Sequence, residues 1–357
     1  GARVREESGG WSEASDCGRD GQEPLPVHWP QGPDWRRNCT GRLCLPSNGL
    51  ERQWAELQPP TGGAASPAAV AGPPRPRLAV LMMANDSVSN AGVWRRWIQH
   101  ATQAGLSLRF HVHAQDINSR PWRTPELREY VLNTSSDRFT TRWCKALPAE
   151  WLLLRTALQD PEVTHLAAVS SDAVPLKPLG WIYRELRREP ATRLCLEWTR
   201  LASQREPRAE TWFLMRRADA ELFVQNQRFA ERVFFEGIRR SCQEERMWAI
   251  PLILRSFQWG QQRAPLSDSC IMFTDWGDTR CKAWAVHVNM SDFSSLRARS
   301  TFTEAAQSYG HPRTYRSVGA GGVRDLQRSP FWWARKFAAG AVRPRDFDFA
   351  PDGVAGW

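Results

Sequence analysis

The stretch Leu78-Ala79-Val80-Leu81-Met82-Met83-Ala84 is a continuous apolar run that gives way to the polar residues Asn85 and Asp86. A short run without polar alternation is typical of a strand that is buried on both faces, as in a parallel sheet. Apolar residues with helical spacing follow at 93–98, and an alternating strand pattern follows at 106–114. The order β, α, β predicts an α/β fold with a parallel sheet.

Downstream segments continue this alternation. Patterns at 150–158 and 218–224 predict helices, whereas strands are predicted at 165–169, 211–215 and 271–276, and a glycine-rich loop is predicted at 309–323. Ligands of open α/β sheets bind beyond the carboxyl ends of strands, and Asp172 follows such an end. Asp172 also fits a turn or a helix cap, and the residues alone leave both interpretations open.

Residues 1–76 differ in composition from the rest of the chain. They combine charged and polar residues with tryptophans and then with a Pro/Gly/Ala-rich stretch at 59–74. Such a composition does not provide enough apolar surface for a core of its own. We therefore predict a poorly structured stem or linker at 1–76 and a folded domain at 77–357.

The charge balance of the 357 residues is basic. The 48 Lys and Arg residues exceed the 38 Asp and Glu residues, which gives a net charge of +10 and suits an acidic partner such as a phosphate or a nucleotide. The arginines are spread along the chain and no nucleic-acid motif accompanies them, so a nucleic-acid partner is not expected. Lysine is scarce, and a lysine is therefore more informative than an arginine: Lys145, Lys177, Lys282 and Lys336.

Cysteines and glycosylation sequons indicate a secretory compartment. The 8 cysteines contain no CxxC pair, which argues against a zinc site and leaves disulfides as an option. Asparagine sequons occur at four positions: Asn38, Asn85, Asn133 and Asn289. No apolar run approaches the ~18 residues that a membrane span needs.

A pair of adjacent carboxylates, Glu244 and Glu245, opens an amphipathic run that is predicted to be helical. A glutamate held at the edge of an apolar surface can act as a general base. Glu245 lies three positions before Trp248 and is predicted to share its face, nearer the buried wall, while Glu244 turns away. The alternative is a solvated first turn that the helix dipole favours.

Four stretches, taken in order, resemble the core-2/I-branching glycosyltransferase family, which includes branching β-1,6-N-acetylglucosaminyltransferases, xylosyltransferases and plant relatives. The resemblance covers residues 77 to 340 and is carried by these segments: Ser170-Ser171-Asp172-Ala173-Val174-Pro175-Leu176, Trp212-Phe213-Leu214-Met215-Arg216-Arg217, Glu244-Glu245-Arg246-Met247-Trp248-Ala249 and Trp333-Ala334-Arg335-Lys336-Phe337. Glu244 departs from the aspartate that many members carry, which leaves the acceptor open.

The resemblance implies a GT-A type, Rossmann-like nucleotide-sugar transferase domain. It implies an inverting transfer from a UDP-sugar to a glycan or glycoprotein hydroxyl, without a metal or another cofactor. An arginine and a lysine would hold the diphosphate in place of a divalent ion. The residues that would fill the family's roles are Glu245 as the base, Arg313, Lys336, Asp172 and His113 for the donor, and Trp276, Trp212 and Glu244 for the acceptor.

Several alternatives remain within this interpretation. The sugar is expected to be N-acetylglucosamine, with xylose and glucuronic acid as the other options, and an inactive glycan-binding relative is a separate class. Lys336 could instead cover Trp332 or Trp333 with its apolar stem. The triplet Asp346-Phe347-Asp348 is interpreted as part of the tail. The resemblance also implies a type II membrane protein of the Golgi lumen, anchored upstream of Gly1.

Overall fold

The structure is a computed structural model of the chain. It describes residues 54, 57, 75–115, 121–132, 141, 146–201, 204–234, 244–256, 266–275, 302–306 and 312–350. In this part of the chain, no helix has the length and apolar character needed to cross a membrane.

The helices and strands alternate along the first half of the chain. The helices are α1 Ala91–Gln103, α2 Leu147–Leu158, α3 Leu179–Arg188, α4 Arg217–Gln225, α5 Gln227–Phe234, α6 Glu244–Ser256 and α7 Ala320–Arg328. The strands are β1 Leu78–Ala84, β2 Leu108–Ala114, β3 His165–Ser170, β4 Val174–Pro175, β5 Thr192–Leu194, β6 Leu196–Leu201, β7 Gln204–Ala209, β8 Leu214–Arg216, β9 Leu266–Asp268, β10 Met272–Thr274, β11 Phe302–Ala306, β12 Thr314–Val318 and β13 Trp333–Arg335.

A six-stranded sheet in the order β2-β1-β3-β8-β5-β9 forms the centre of the fold. Strand β1 pairs in parallel with both β2 and β3, whereas β8 runs antiparallel to β3 and β5, and β9 is parallel to β5. A three-stranded sheet, β10-β13-β4, stands beside it. The fold is therefore mixed α/β with a central sheet rich in parallel pairs, as the β, α, β order of the sequence predicts.

Alternate residues of β1 supply two different cores, which explains its unbroken apolar sequence. Val80 belongs to the cluster that includes α1, α3 and the three-stranded sheet. Leu81, on the other face, belongs to the cluster that includes α2, α4 and α6. A strand covered on both faces has no position for a polar side chain, so the run is apolar throughout.

Two tryptophans of α1 fix the segment that follows β3. Trp94 donates its indole N–H to the carbonyl of Ala173 at 2.8 Å, and Trp97 donates to the carbonyl of Lys177 at 2.8 Å. Buried indole N–H groups need such partners. These bonds hold the chain immediately after Asp172 against α1.

A disulfide between Cys195 and Cys270 joins two segments that are 75 residues apart in the sequence. Cys195 lies between β5 and β6, and Cys270 lies between β9 and β10. The bond therefore links the end of β5 in the six-stranded sheet to the segment that leads from β9 to β10 of the three-stranded sheet.

Most of the predicted elements are confirmed, but two predictions are wrong. The loop predicted at 309–323 contains β12 and the start of α7, because Tyr315 and Val318 are buried and Val323 and Leu326 follow with helical spacing. The strand predicted at 211–215 begins later, at Leu214. The first prediction was wrong because it gave more weight to the glycine residues of the segment than to its apolar pattern.

Trp54 lies in the core although it belongs to the segment predicted as a stem. Its side chain is 0% exposed and packs against Phe223 and Phe229, with ring centroids 5.1 and 6.2 Å apart. Its indole N–H donates to the carbonyl of Pro251 in α6 at 3.3 Å, and Arg255 donates to the carbonyl of Leu57. The folded domain therefore includes part of the region before residue 77.

Candidate functional site

The segment after β3 places Asp172 at the carboxyl end of the parallel strands. The backbone N–H of Ser171 donates to the carbonyl of Met83 in β1 at 2.9 Å, so the chain stays beside β1 as it leaves the sheet. The carbonyl of Asp172 accepts a hydrogen bond from the N–H of Phe337 at 3.1 Å. The end of β3 and the residues after β13 therefore meet at one place.

One carboxylate, two cations and an aromatic ring lie together at this point. We call them the strand-end cluster: Asp172, Trp212, Arg335 and Lys336. Arg335 Nε donates to Asp172 Oδ1 at 3.2 Å, and Lys336 Nζ lies 3.8 Å from Asp172 Oδ2. The Arg335 guanidinium also stacks 4.7 Å from the centroid of the Trp212 ring. One carboxylate thus orients two cations, and one of the cations is fixed further by an aromatic face.

Opposite charges control the protonation states of the strand-end cluster. Burial acts to raise the pKa of Asp172, but Arg335, a hydrogen bond from Ser170 and Lys336 together hold that pKa below its ordinary value. Burial, reinforced by Arg335, lowers the pKa of Lys336, and Asp172 opposes the shift. The carboxylate form of Asp172 is therefore favoured in the fold, because it compensates two partly buried cations.

Arg313 joins the edge of this group through the backbone. Its N–H donates to the carbonyl of Asp275 at 2.6 Å, and two residues later the N–H of Tyr315 donates to the carbonyl of Lys336 at 2.9 Å. The hydroxyl of Tyr315 donates to Asp275 Oδ2. The structure therefore brings Arg313 and Lys336, which are 23 positions apart in the sequence, onto adjacent segments.

The two adjacent glutamates lie at the start of α6, on the other face of the sheet. Glu244 is 3% exposed, whereas Glu245 is half-buried. The predicted orientation is wrong, because Glu244 lies four residues before Trp248 and takes the buried side of the helix. The predicted acceptor role of Glu244 stays a prediction.

Helix α6 is connected to the strand-end cluster by aromatic packing. The Trp248 ring lies 5.5 Å from the ring of Phe213, the residue after Trp212. Trp212 belongs to the core that includes α1, α3 and the three-stranded sheet. Phe213 belongs to the core that includes α2, α4 and α6. The Trp212-Phe213 pair therefore contacts Arg335 on one face of the sheet and Trp248 of α6 on the other face.

The remaining predicted residues have different outcomes. His113 is 1% exposed and pairs in register with Met83 within the sheet, and its predicted donor role stays a prediction. Trp212 is 9% exposed and belongs to the strand-end cluster, where its predicted acceptor role stays a prediction. Trp276 lies outside the described residues.

Sequence reasoning missed Arg335 and Tyr315. Arg335 occupies the variable position of the family's Phe-Ala-x-Lys-Phe pattern, so the resemblance assigns it no role. Its position next to Lys336 was the only available signal. Tyr315 gave none, because its contact with Asp275 joins residues 40 apart.

The described residues contain no group of three or more His, Cys, Asp or Glu side chains that could hold a metal ion. The triplet at 346–348 contacts other protein groups instead, and the backbone of Asp348 is hydrogen-bonded to the Gln327 side chain. Arg343 Nε lies 3.9 Å from Asp346 Oδ2. Asp348 Oδ1 accepts a hydrogen bond from the backbone N–H of Ala350 at 2.9 Å. Phe347 packs in the core between them.

Comparisons with known proteins add little. No family model and no curated protein matches the chain. Among solved structures, the chain is similar to a protein described as a glycosyltransferase involved in the glycosylation of the major capsid of PBCV-1. The match covers 56% of this chain and 84% of that chain, with 9% identity and a TM-score of 0.28. A likeness of this size carries no conclusion about chemistry.

Proposed function

We propose that the chain is a metal-independent, inverting glycosyltransferase that moves a sugar from a UDP-sugar to a glycan hydroxyl, with N-acetylglucosamine as the expected sugar. The observation that carries the proposal is the gathering of Arg335 and Lys336 on Asp172 beyond the carboxyl end of β3. In open α/β sheets this edge is where nucleotides bind.

The strand-end cluster has the charge that a leaving diphosphate requires. Asp172 compensates only one of its two cations, so one positive charge remains before Arg313 is counted. Fixed cations stabilise the negative charge that accumulates on UDP when the glycosidic bond to the donor breaks. Lys336 and Arg313 are the residues assigned to the diphosphate, and Arg335 is added to them.

Glu245 is assigned to the acceptor. In the proposed reaction its carboxylate takes the proton of the acceptor hydroxyl, while the hydroxyl oxygen attacks the anomeric carbon and UDP departs from the opposite face. The half-buried position of Glu245 at the first turn of α6 supports this assignment, because a base must be reachable by the acceptor and still be held in place.

The test is a screen for UDP release from UDP-N-acetylglucosamine, UDP-xylose and UDP-glucuronic acid with mixed glycan acceptors. One donor should give acceptor-dependent release. Glu245→Gln should then lose about 10²-fold or more in kcat, the usual scale for a general base, while it still binds UDP. Binding of UDP without any turnover would leave an inactive glycan-binding relative, and full activity of the Gln variant would remove Glu245 as the base.

The setting proposed for this activity is the Golgi lumen, with a membrane anchor outside the chain and a glycoprotein as acceptor. The disulfide between Cys195 and Cys270 supports an oxidising compartment. Asn85 supports it too, since this sequon is exposed directly after β1. Free thiols at both cysteines and an unglycosylated chain in cell-derived protein would contradict this proposal.

A further inference from the structure

Two carboxyl groups are buried together where α2 and α6 begin. Glu150, in the first turn of α2, is 2% exposed, and Glu244, the first residue of α6, is 3% exposed. Trp248 donates its indole N–H to Glu150 Oε2 at 3.0 Å. Glu150 Oε1 and Glu244 Oε2 are buried and have no hydrogen-bond partner among the described residues.

The surroundings distinguish the two carboxyls. Burial raises the pKa of Glu150 to about 8, and the negative charge of Glu244 adds to this shift. Burial also raises the pKa of Glu244, but backbone N–H groups, its own and that of Ala146, act in the opposite direction. The charge therefore belongs on Glu244, close to the N-terminus of α2, and the proton belongs on Glu150.

A protonated Glu150 has the one donor that this arrangement lacks. Neutral carboxyl groups donate one O–H, and an ionised carboxyl accepts through both oxygens. Two ionised carboxylates would repel each other in a buried site, whereas one acid and one carboxylate form a charge-assisted hydrogen bond. Such a bond would use the buried oxygens that have no other partner.

We propose that Glu150 and Glu244 share one proton as a carboxylic acid–carboxylate pair that holds the first turn of α6, and with it Glu245, against the start of α2. Glu150 is a positioning residue, since it acts through Glu244 on the next residue in the chain. This role rests on the proposed function, in which Glu245 is the base. The pair itself does not depend on it.

The first arm of the test detects the proton directly. Infrared difference spectra of the full chain at pH 7, wild type minus Glu150→Gln, should show the carbonyl stretch of a protonated carboxyl. Glu126 is an exposed glutamate, and Glu126→Gln is the matched control that should remove only bands of an ionised carboxylate. If the Glu150 difference shows only ionised bands, the shared proton is excluded.

The second arm measures positioning through UDP release from UDP-N-acetylglucosamine. Glu150→Gln keeps an N–H donor and should stay within about twofold of the wild-type kcat. Glu150→Leu fills the space without a donor and should lower kcat about tenfold or more, with the donor KM unchanged, because a small displacement of a base is costly.

The two arms separate failure of the pair from failure of the proposed function. Equal losses of turnover in the Gln and Leu variants would refute the role of the proton. If the wild type turns over no UDP-sugar, the proposed function fails, and the infrared result alone decides whether the pair exists.

Discussion

Replacing Trp54 with alanine is expected to lower the free energy of unfolding by about 3–5 kcal/mol, the usual cost of removing a fully buried aromatic side chain. Trp54 is 0% exposed and packs against Phe223 and Phe229, so the deletion leaves a cavity lined by rings. The loss of the hydrogen bond to the Pro251 carbonyl contributes about 1 kcal/mol of this total. A loss of this size is a large share of the stability of an ordinary domain.

The assay is urea unfolding of the full chain followed by circular dichroism, with Trp54→Phe as the matched control. Phenylalanine keeps most of the ring packing but has no N–H, so it should cost about 1–2 kcal/mol. The gap between the two variants then measures the packing alone. Because the indole of Trp54 is hydrogen-bonded to Pro251 in α6, the alanine variant should also lose turnover when α6 loosens.

A change of less than about 0.5 kcal/mol for Trp54→Ala would refute this reasoning, since that is the range of surface substitutions. Residues 1–76 would then behave as the separate stem that their composition predicts. Deletion of residues 1–76 tests independently whether this segment is part of the folded domain. It should destabilise the domain if Trp54 is part of the core, and leave it unchanged if it is not.

Three further predictions concern the proposed site and the disulfide. Turnover should persist in EDTA, because Arg313, Arg335 and Lys336 supply fixed positive charge; loss of activity that Mn²⁺ restores would contradict this. Lys336→Ala should weaken UDP binding about tenfold or more, the scale of one charge-assisted hydrogen bond, whereas the exposed Arg316→Ala should not; unchanged affinity for UDP would make Lys336 a packing residue. Replacing Cys195 and Cys270 together with alanine should lower the unfolding free energy by about 4 kcal/mol, as expected for a closed loop of 75 residues, and an unchanged urea midpoint would show that the bond contributes nothing.

The central part of the fold was predictable because its signals are local. The apolar run of β1 spans the seven residues of the observed strand, and the helical pattern at 218–224 lies within α4. Such patterns reflect burial on one or two faces, and they can be recognised within a single segment of the sequence. The hairpin of β6 and β7 was not predicted; it forms by antiparallel pairing between the two strands.

The candidate site was predictable only in part, because its geometry depends on sheet order. Asp172 and Lys336 were identified separately, and their contact requires β13 to pair with β4. The orientation of Glu244 was wrong for a related reason. Glu244 is buried close enough to Glu150, 94 residues earlier, to raise its pKa, and nothing in the sequence places the two together.

The scarce lysines show what composition can and cannot indicate. Lys177 and Lys336 both lie in the described part of the chain; Lys177 is buried and Lys336 is partly buried. Lys177 donates to the carbonyl of Gln327 and lies 5.1 Å from the centroid of the Trp181 ring, so it stabilises the packing of α3 and α7. Lys336 differs because its partner is a carboxylate beyond the end of a parallel strand, where an anionic ligand can compete for it. Scarcity therefore selects the residues to examine, and the carboxylate partner beyond the end of β3 is what distinguishes Lys336, for which we predict a binding role, from Lys177.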